Sequence, residues 1–285
     1  MTPGAGLKAR LEKGVLVAPG AYDALSARIA AQAGAEAVYM TGFGVAGSLL
    51  GVPDIGLVTA SEMIERVRAL AAAASPVPLI ADGDNGHGGV LNVERLVHAC
   101  EQAGAACIQL EDQVFPKRCG HMDGKEVVPL DEGAAKIKAA VAARSSRDFQ
   151  IIARTDARSV LGLDEALRRA DAYLKAGADL LFVEAPQSEA ELRAIAERFK
   201  GVPLVANMVE DGKTPPLAAS ALGQMGYRLI LFPISALLSA ARTVRNVYED
   251  ILSKGANTAS ERLSFDDYCD VVALKDHLAR TQKWR

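Results

Sequence analysis

Short apolar runs alternate with amphipathic segments from one end of the chain to the other. The runs lie at 16–19, 37–40, 79–81, 107–110, 151–153, 180–183, 204–206 and 229–232. Each is bounded by turn-forming residues, so each predicts a buried parallel strand rather than an alternating, half-exposed one. Between them, apolar residues recur at helical spacing over 61–74, 92–103, 163–176 and 188–199. Thr59 with Glu62 predicts a capping box, and Asn92 and Ser188 predict N-caps.

A repeat supports this parse. Ala33-Gly34-Ala35, Ala103-Gly104-Ala105 and Ala176-Gly177-Ala178 each close a helical segment and lead into a strand, and Met225-Gly226-Tyr227 is a looser fourth copy. Glycine suits the left-handed position at a helix end. The residues seven places past these glycines are Thr41, Glu111, Glu184 and Pro233, which should fall at equivalent positions near the C-terminal ends of even-numbered strands. Eight strand–helix alternations predict an α/β fold, a (β/α)₈ barrel over residues 1–252. A doubly wound open sheet obeys the same pattern and is the alternative. Residues 235–252 predict a helix and 253–263 a polar linker. Ser264 then caps a last helix over 265–280, with an apolar face made by Phe265, Tyr268, Val271, Val272, Leu274 and Leu278. The barrel has no use for this face, so 253–285 reads as a linker and an oligomerisation helix that docks on a neighbouring subunit.

Composition fits this architecture. Hydrophobic residues make up 50% of the 285 and aromatics only 5%, so the core must be packed from Ala, Val, Leu and Ile. A net charge of -3 with no long basic run argues against nucleic acid as a partner. No apolar run approaches the ~18 residues of a membrane span, and Met1-Thr2-Pro3-Gly4 lacks a signal-peptide pattern. Cys100, Cys107, Cys119 and Cys269 show no paired spacing, which predicts a reduced, cytoplasmic protein.

The predicted strand ends carry the candidate chemistry. They read Thr41-Gly42-Phe43-Gly44, Asp82-Gly83-Asp84, Glu111-Asp112, Arg154-Thr155-Asp156, Glu184, Asn207 and Pro233, with Asp54 in the loop after the second strand. Active sites of (β/α)₈ barrels lie at this face. Asp82 and Asp84 flank a glycine, so both carboxylates can face one point. A hard cation such as Mg²⁺, with Mn²⁺ as substitute, suits them, and Glu111 could hold one of its waters. Turn-capping aspartates are the competing reading. The Thr41–Gly44 backbone offers N–H groups to an anion. Arg154 suits a substrate carboxylate, with an internal salt bridge to Asp156 or Glu184 as the competing reading. Cys119 lies in a polar loop with Lys117, Arg118 and His121, where thiolate is favoured. It reads as an acid/base thiol, against a zinc site that would need further Cys/His ligands.

These residues resemble a known family. Glu111-Asp112-Gln113-Val114 followed by Lys117-Arg118-Cys119-Gly120-His121 resembles the signature loop of the isocitrate lyase / phosphoenolpyruvate mutase superfamily. The match continues through Pro19–Asp23, Gly51–Asp54, Asp82–Gly86, Ala153–Ala157, Val183–Ala185 and Ala206–Met208. The resemblance implies a (β/α)₈ barrel, Mg²⁺ held mainly by Asp82 and Asp84, α-keto or 2-hydroxy carboxylate substrates, and a mobile Cys loop that closes over the site. It also implies a homotetramer with C-terminal helices swapped between subunits. The lyase branch uses the cysteine, so Cys119 points to carbon–carbon cleavage. Members that cleave isocitrate or methylisocitrate carry an Arg just after the eighth strand, where this chain has Pro233-Ile234-Ser235-Ala236-Leu237-Leu238, with Arg242 a turn further on. The pattern is closer to the alkylmalate-cleaving members.

The expected reaction is therefore a retro-aldol cleavage of a 2-hydroxy dicarboxylate such as 2,3-dimethylmalate. Cys119 protonates the leaving carbon, Arg154, His121 and Asn207 face the enolate, Lys117 and Arg118 bias the thiol, and Glu184 orients Arg154. Thr41–Gly44, Gly120 and Pro233 complete the substrate site, with Asp54 among the catalytic candidates. Alternatives are methylisocitrate cleavage, oxaloacetate decarboxylation or hydrolysis, phosphonopyruvate or phosphoenolpyruvate mutase chemistry, and a non-catalytic scaffold.

Overall fold

A computed structural model describes residues 1–120, 122, 124–258 and 262–284. The chain divides into two compact units, Met1–Ser235 and Ala236–Arg285, a division that falls ahead of the 252 boundary read from the sequence. The first unit opens with α1 (Pro3–Lys13), β1 (Leu16–Ala21), α2 (Ala24–Gln32), β2 (Val38–Met40), α3 (Gly42–Leu50) and α4 (Ala60–Ala74). It continues with β3 (Leu79–Asp82), α5 (Val90–Gln102), β4 (Cys107–Glu111), α6 (Leu130–Ala143), β5 (Gln150–Thr155) and α7 (Ala157–Leu161). It ends with α8 (Leu163–Lys175), β6 (Leu180–Val183), α9 (Glu189–Arg198), β7 (Leu204–Asn207), α10 (Ala219–Met225) and β8 (Tyr227–Phe232).

The eight strands close into a parallel barrel in sequence order, with β1 paired to both β2 and β8. This excludes the open sheet. The repeat glycines Gly34, Gly104, Gly177 and Gly226 all have positive φ, from 92° to 118°, so each ends a helix with a backbone turn that a side chain would strain. Thr59 and Glu62 form the expected capping box, and Ser188 caps α9. Asn92 does not cap. It sits one turn in, at the third position of α5, and its side chain accepts from Gly89 N–H because the cap residue itself has no side chain.

Two buried clusters hold the barrel. One lies between strands and helices and is rich in Ala, Val, Leu and Ile. The other fills the barrel interior and includes Leu16, Ile80, Cys107, Ile152, Phe182, Val205 and Leu231, joined by Leu7 and Leu11 of α1.

The second unit contains most of α11 (Ser235–Lys254), then α12 (Phe265–Val271) and α13 (Leu274–Gln282). The sequence predicted one helix over 265–280. It is interrupted where Ala273 turns left-handed at φ 55°, just after the β-branched pair Val271-Val272, whose stiff side chains weaken helix. No described residue of these three helices is buried, and Phe265, Leu252 and Trp284 are at least 80% exposed. None of the described helices is long and apolar enough to cross a membrane.

Candidate active site

Strand alternation builds the site. The interior residues Ile80, Cys107, Ile152, Phe182, Val205 and Leu231 point to the barrel axis. Two positions further along each strand, on the same side, stand Asp82, Gln109, Arg154, Glu184, Asn207 and Pro233, with Glu111 one step beyond Gln109. Register sets Asp82 beside Gln109 and Glu111 beside Arg154. An apolar plug thus gives way to a polar layer at the C-terminal mouth. Its cavity, of about 60 Å³, is lined by Asp54, Asp82, Glu111 and Arg154 and also by Phe43, Val209, Pro233 and Ile234. Lys117, Arg118, Cys119 and Gly120 complete the lining. A larger groove of about 930 Å³ lies by the strand starts, beside Lys8, Arg147 and Arg228, and contains none of these groups.

Four carboxylates gather at the mouth. Asp82 accepts from Gly42 N–H at 3.0 Å, from Asp84 N–H at 3.1 Å and from the Gln109 amide at 3.3 Å. Lys117 Nζ lies 2.6 Å from both Asp54 and Asp84. Burial, then the charge of Asp84, raises the Asp82 carboxyl above its ordinary range. Burial raises Asp54 and, further, Glu111, whose Oε1 is buried without a hydrogen-bond partner. Burial opposes the Lys117 charge, but Asp84, Asp54 and Glu111 together hold its pKa well above the ordinary value.

This geometry changes two readings. The ammonium of Lys117, read from the sequence as biasing the thiol, is paired with Asp54 and Asp84. The Thr41–Gly44 segment is not an open loop. Thr41 caps α3, its hydroxyl accepts from Gly44 N–H, and Gly42 N–H is bound to Asp82, so two of the expected anion donors already have partners. A Cβ on Gly42 would sit 2.8 Å from Asp82 Oδ2, which is the reason for glycine there.

Arg154 is gripped by Asp156 through Nε at 2.9 Å and Nη2 at 3.1 Å, and its Nε lies 3.4 Å from Glu111. The internal salt bridges are therefore with Asp156 and, at longer range, Glu111. The Phe182 ring lies 5.2 Å beneath the guanidinium. Burial works against the Asp156 carboxylate, but Arg154 and Lys125 outweigh it and lower its pKa. Glu184 accepts from the Asn207 amide at 3.2 Å, leaving Asn207 Oδ1 buried without a partner. Asp112, the other half of the acidic pair after β4, faces outward. It binds Thr155, Tyr173, Arg169 and the Asp156 backbone N–H, so it braces the end of β5.

Cys119 is half-buried and faces this cavity, whereas Cys100 and Cys107 are fully buried, with burial pushing Cys100 up to about 12. Its neighbour Gly120 packs directly on Arg154 and Glu184. A Cβ at Gly120 would overlap Arg154 Nη2 and lie 2.6 Å from Glu184 Oε1. His121 lies outside the described residues.

Residues 7–252 match the phosphoenolpyruvate phosphomutase family. The chain belongs to the PEP mutase/isocitrate lyase superfamily. Among superfamily members, 2,3-dimethylmalate lyase of Eubacterium barkeri is 45% identical over 92% of this chain and 91% of its own length. The 2-methylisocitrate lyase of Bacillus subtilis is 41% identical over 94% and 90%. A crystal structure of 2,3-dimethylmalate lyase superposes with a TM-score of 0.95 at 36% identity, covering 99% of this chain and 95% of that one. A phosphonopyruvate hydrolase solved with oxalate and Mg²⁺ superposes with 0.87 at 33% identity, covering 100% and 99%.

The superfamily barrel here presents a donor set suited to a hard cation. Asp54, Asp82, Asp84 and Glu111 bring four carboxylates against one ammonium, and the orphaned Glu111 oxygen is a ready acceptor. Among the described residues no three His, Cys, Asp or Glu side chains converge closely enough to enclose an ion by themselves. Mg²⁺ needs no such cage, since it binds through one or two carboxylates and keeps several waters.

Sequence reasoning assigned no role to Tyr39, Gln109 or Lys125, and Gln113 entered only as part of the signature loop. Gln109 had a signal, being a polar side chain inside a buried strand. It bridges Asp82 to the hydroxyl of Tyr39, which lies 3.2 Å away. Lys125 had none, because its partners Gly120 and Asp156 meet it only in three dimensions.

Proposed function

We propose that the chain is a divalent-metal-dependent carbon–carbon lyase. It cleaves a 2-hydroxy dicarboxylate, 2,3-dimethylmalate or a related alkylmalate, to an α-keto acid such as pyruvate and a monocarboxylate. The observation that carries this reading is the mixed lining of the cavity, where carboxylates and Arg154 meet the apolar groups of Phe43, Val209, Pro233 and Ile234. The similarity to 2,3-dimethylmalate lyase supports it.

Asp82 and Asp84, with Glu111 beyond them, would hold Mg²⁺ or Mn²⁺. When bound, the ion supplies Lewis acidity toward a hydroxyl and its adjacent carboxylate. The chain's own groups account for the rest. As the hydroxyl gives its proton to a carboxylate of the barrel mouth, the O–H pair becomes the keto-acid carbonyl and the C2–C3 pair passes to C3. Negative charge then grows on the departing carboxylate, where Arg154 and the Asn207 amide offer donors. The Cys119 thiol protonates C3. Glu184 accepts from Asn207 and packs on Gly120, which fixes both relative to Arg154. A thiol in this role needs a reducing compartment, consistent with a cytoplasmic enzyme.

Substrate ranking tests the reading. A third carboxylate placed against Phe43, Val209, Pro233 and Ile234 would be desolvated, at a cost of several kcal/mol. An alkyl group there gains ~0.8 kcal/mol per methylene. The expected result is a higher kcat/KM for 2,3-dimethylmalate than for methylisocitrate, measured side by side. Methylisocitrate ahead by an order of magnitude would show that a cation, Arg242 being the candidate, serves the site.

The same reading gives the second unit an assembly role. The exposed Phe265, Tyr268, Leu274 and Leu278 need cover, and a second copy of the chain supplies it in a homotetramer. Light scattering should give a tetrameric mass, and removal of residues 261–285 should give smaller or aggregating species. A monodisperse full-length monomer overturns this assignment.

A further inference from the structure

Two buried side chains bracket Cys119, one on each side. The amide of Gln113 grips the Arg118 backbone twice. Its Nε2 donates to the Arg118 carbonyl at 2.8 Å and its Oε1 accepts from the Arg118 N–H at 2.9 Å. On the other side, Lys125 Nζ donates to the Gly120 carbonyl and to Asp156 Oδ1, the latter at 2.9 Å. Both side chains are nearly inaccessible, and neither touches the reacting centre proposed above.

The base of this loop is also fixed. Val114 N–H donates to the Glu126 carbonyl and Val128 N–H to the Asp112 carbonyl, joining the two ends of the 114–126 segment. Arg154 and Glu184 lie close against Gly120 on the side where a Cβ would project, and Lys125 holds the Gly120 carbonyl. Among the described residues Lys125 joins the thiol segment to the carboxylate that grips Arg154, since Asp156 is bonded to both cations.

We propose that Gln113 and Lys125 are positioning residues for Cys119, with Lys125 tying the place of the thiol to the place of Arg154. This rests on the reading of Cys119 as the acid of a lyase. A displacement of about 1 Å at such a group can cost about 10²-fold in rate. Lys125→Met removes the tie while keeping an unbranched apolar stem, and Gln113→Leu removes the other bracket at similar volume. Lys125→Arg keeps the charge and several donors.

The test combines kinetics with alkylation of Cys119 by iodoacetamide, followed by mass spectrometry of the loop peptide. Lys125→Met and Gln113→Leu should each lower kcat by about 10²-fold with a much smaller change in KM, and should speed alkylation. Lys125→Arg should recover most of both properties. A folded Lys125→Met with normal kcat and normal alkylation overturns the proposal. So does a Lys125→Arg that is as defective as Lys125→Met and melts equally early, because that pattern marks a purely structural cation. Lys125→Gln serves if Lys125→Met does not fold. The alkylation rate needs no turnover. It therefore still decides the positioning claim if the wild-type protein cleaves no alkylmalate, an outcome that would remove the lyase reading alone.

Discussion

Excess EDTA should abolish turnover, and Mg²⁺ or Mn²⁺ should restore it. The reason is electrostatic. Asp54, Asp82, Asp84 and Glu111 are all buried at the barrel mouth, and Lys117 is the ammonium that contacts them, at Asp54 and Asp84. Two like charges about 4 Å apart repel by about 4 kcal/mol at an effective dielectric of about 20. A divalent cation reverses the sign of that balance; burial, and after it the charge of Asp84, already raises the Asp82 carboxyl above its ordinary range. Lewis-acid assistance is worth several kcal/mol, which is about 10²–10³-fold in rate. Asp84→Asn should lose that much activity and bind Mn²⁺ more weakly in equilibrium dialysis, while its melting curve stays close to wild type. Asn is the suitable replacement because Asp84 has φ 48°, a region that Asn tolerates and most residues do not. Full activity in excess EDTA would remove the metal from the reading.

Cys119→Ala should lower kcat by about 10²–10⁴-fold, the usual range for general acid catalysis, while substrate binding persists. The thiol lines the same cavity as Arg154, Glu184 and Asn207, and its neighbour Gly120 is in contact with the first two of these. The thiol acts on a carbanion that exists only after the C2–C3 bond has broken, so its loss should fall on kcat rather than on ground-state affinity. Iodoacetamide should inactivate the wild type, and substrate with Mg²⁺ should protect it. Near-normal turnover in Cys119→Ala would mean that another group supplies the proton.

Much of the site was legible along the chain because strands alternate. Once Ile80, Cys107, Ile152, Phe182 and Val205 are taken as interior, Asp82, Gln109, Arg154, Glu184 and Asn207 must share that side. The Gly-rich segment after β2 was legible only in part. Its glycines suggested a loop, but Thr41 caps a helix there, and Gly42 is small because Asp82 lies against it. The single helix read over 265–280 is two, α12 and α13, and the break at Ala273 was hidden because the apolar spacing runs unchanged through it.

The sequence by itself determined the number of strands and their places along the chain, the helix-ending glycines and the polar residues at the strand ends. All of these follow from local periodicity and from the conformations that single residues allow. Only the tertiary structure decided which charges meet. Lys117 reaches across to Asp54 and Asp84, Arg154 takes Asp156 rather than Glu184, Asp112 braces β5 from outside the barrel, and Lys125 joins Gly120 to Asp156. Barrel closure brings together groups that lie tens of residues apart, and the partner of a buried charge is set by that closure rather than by its neighbours in the chain.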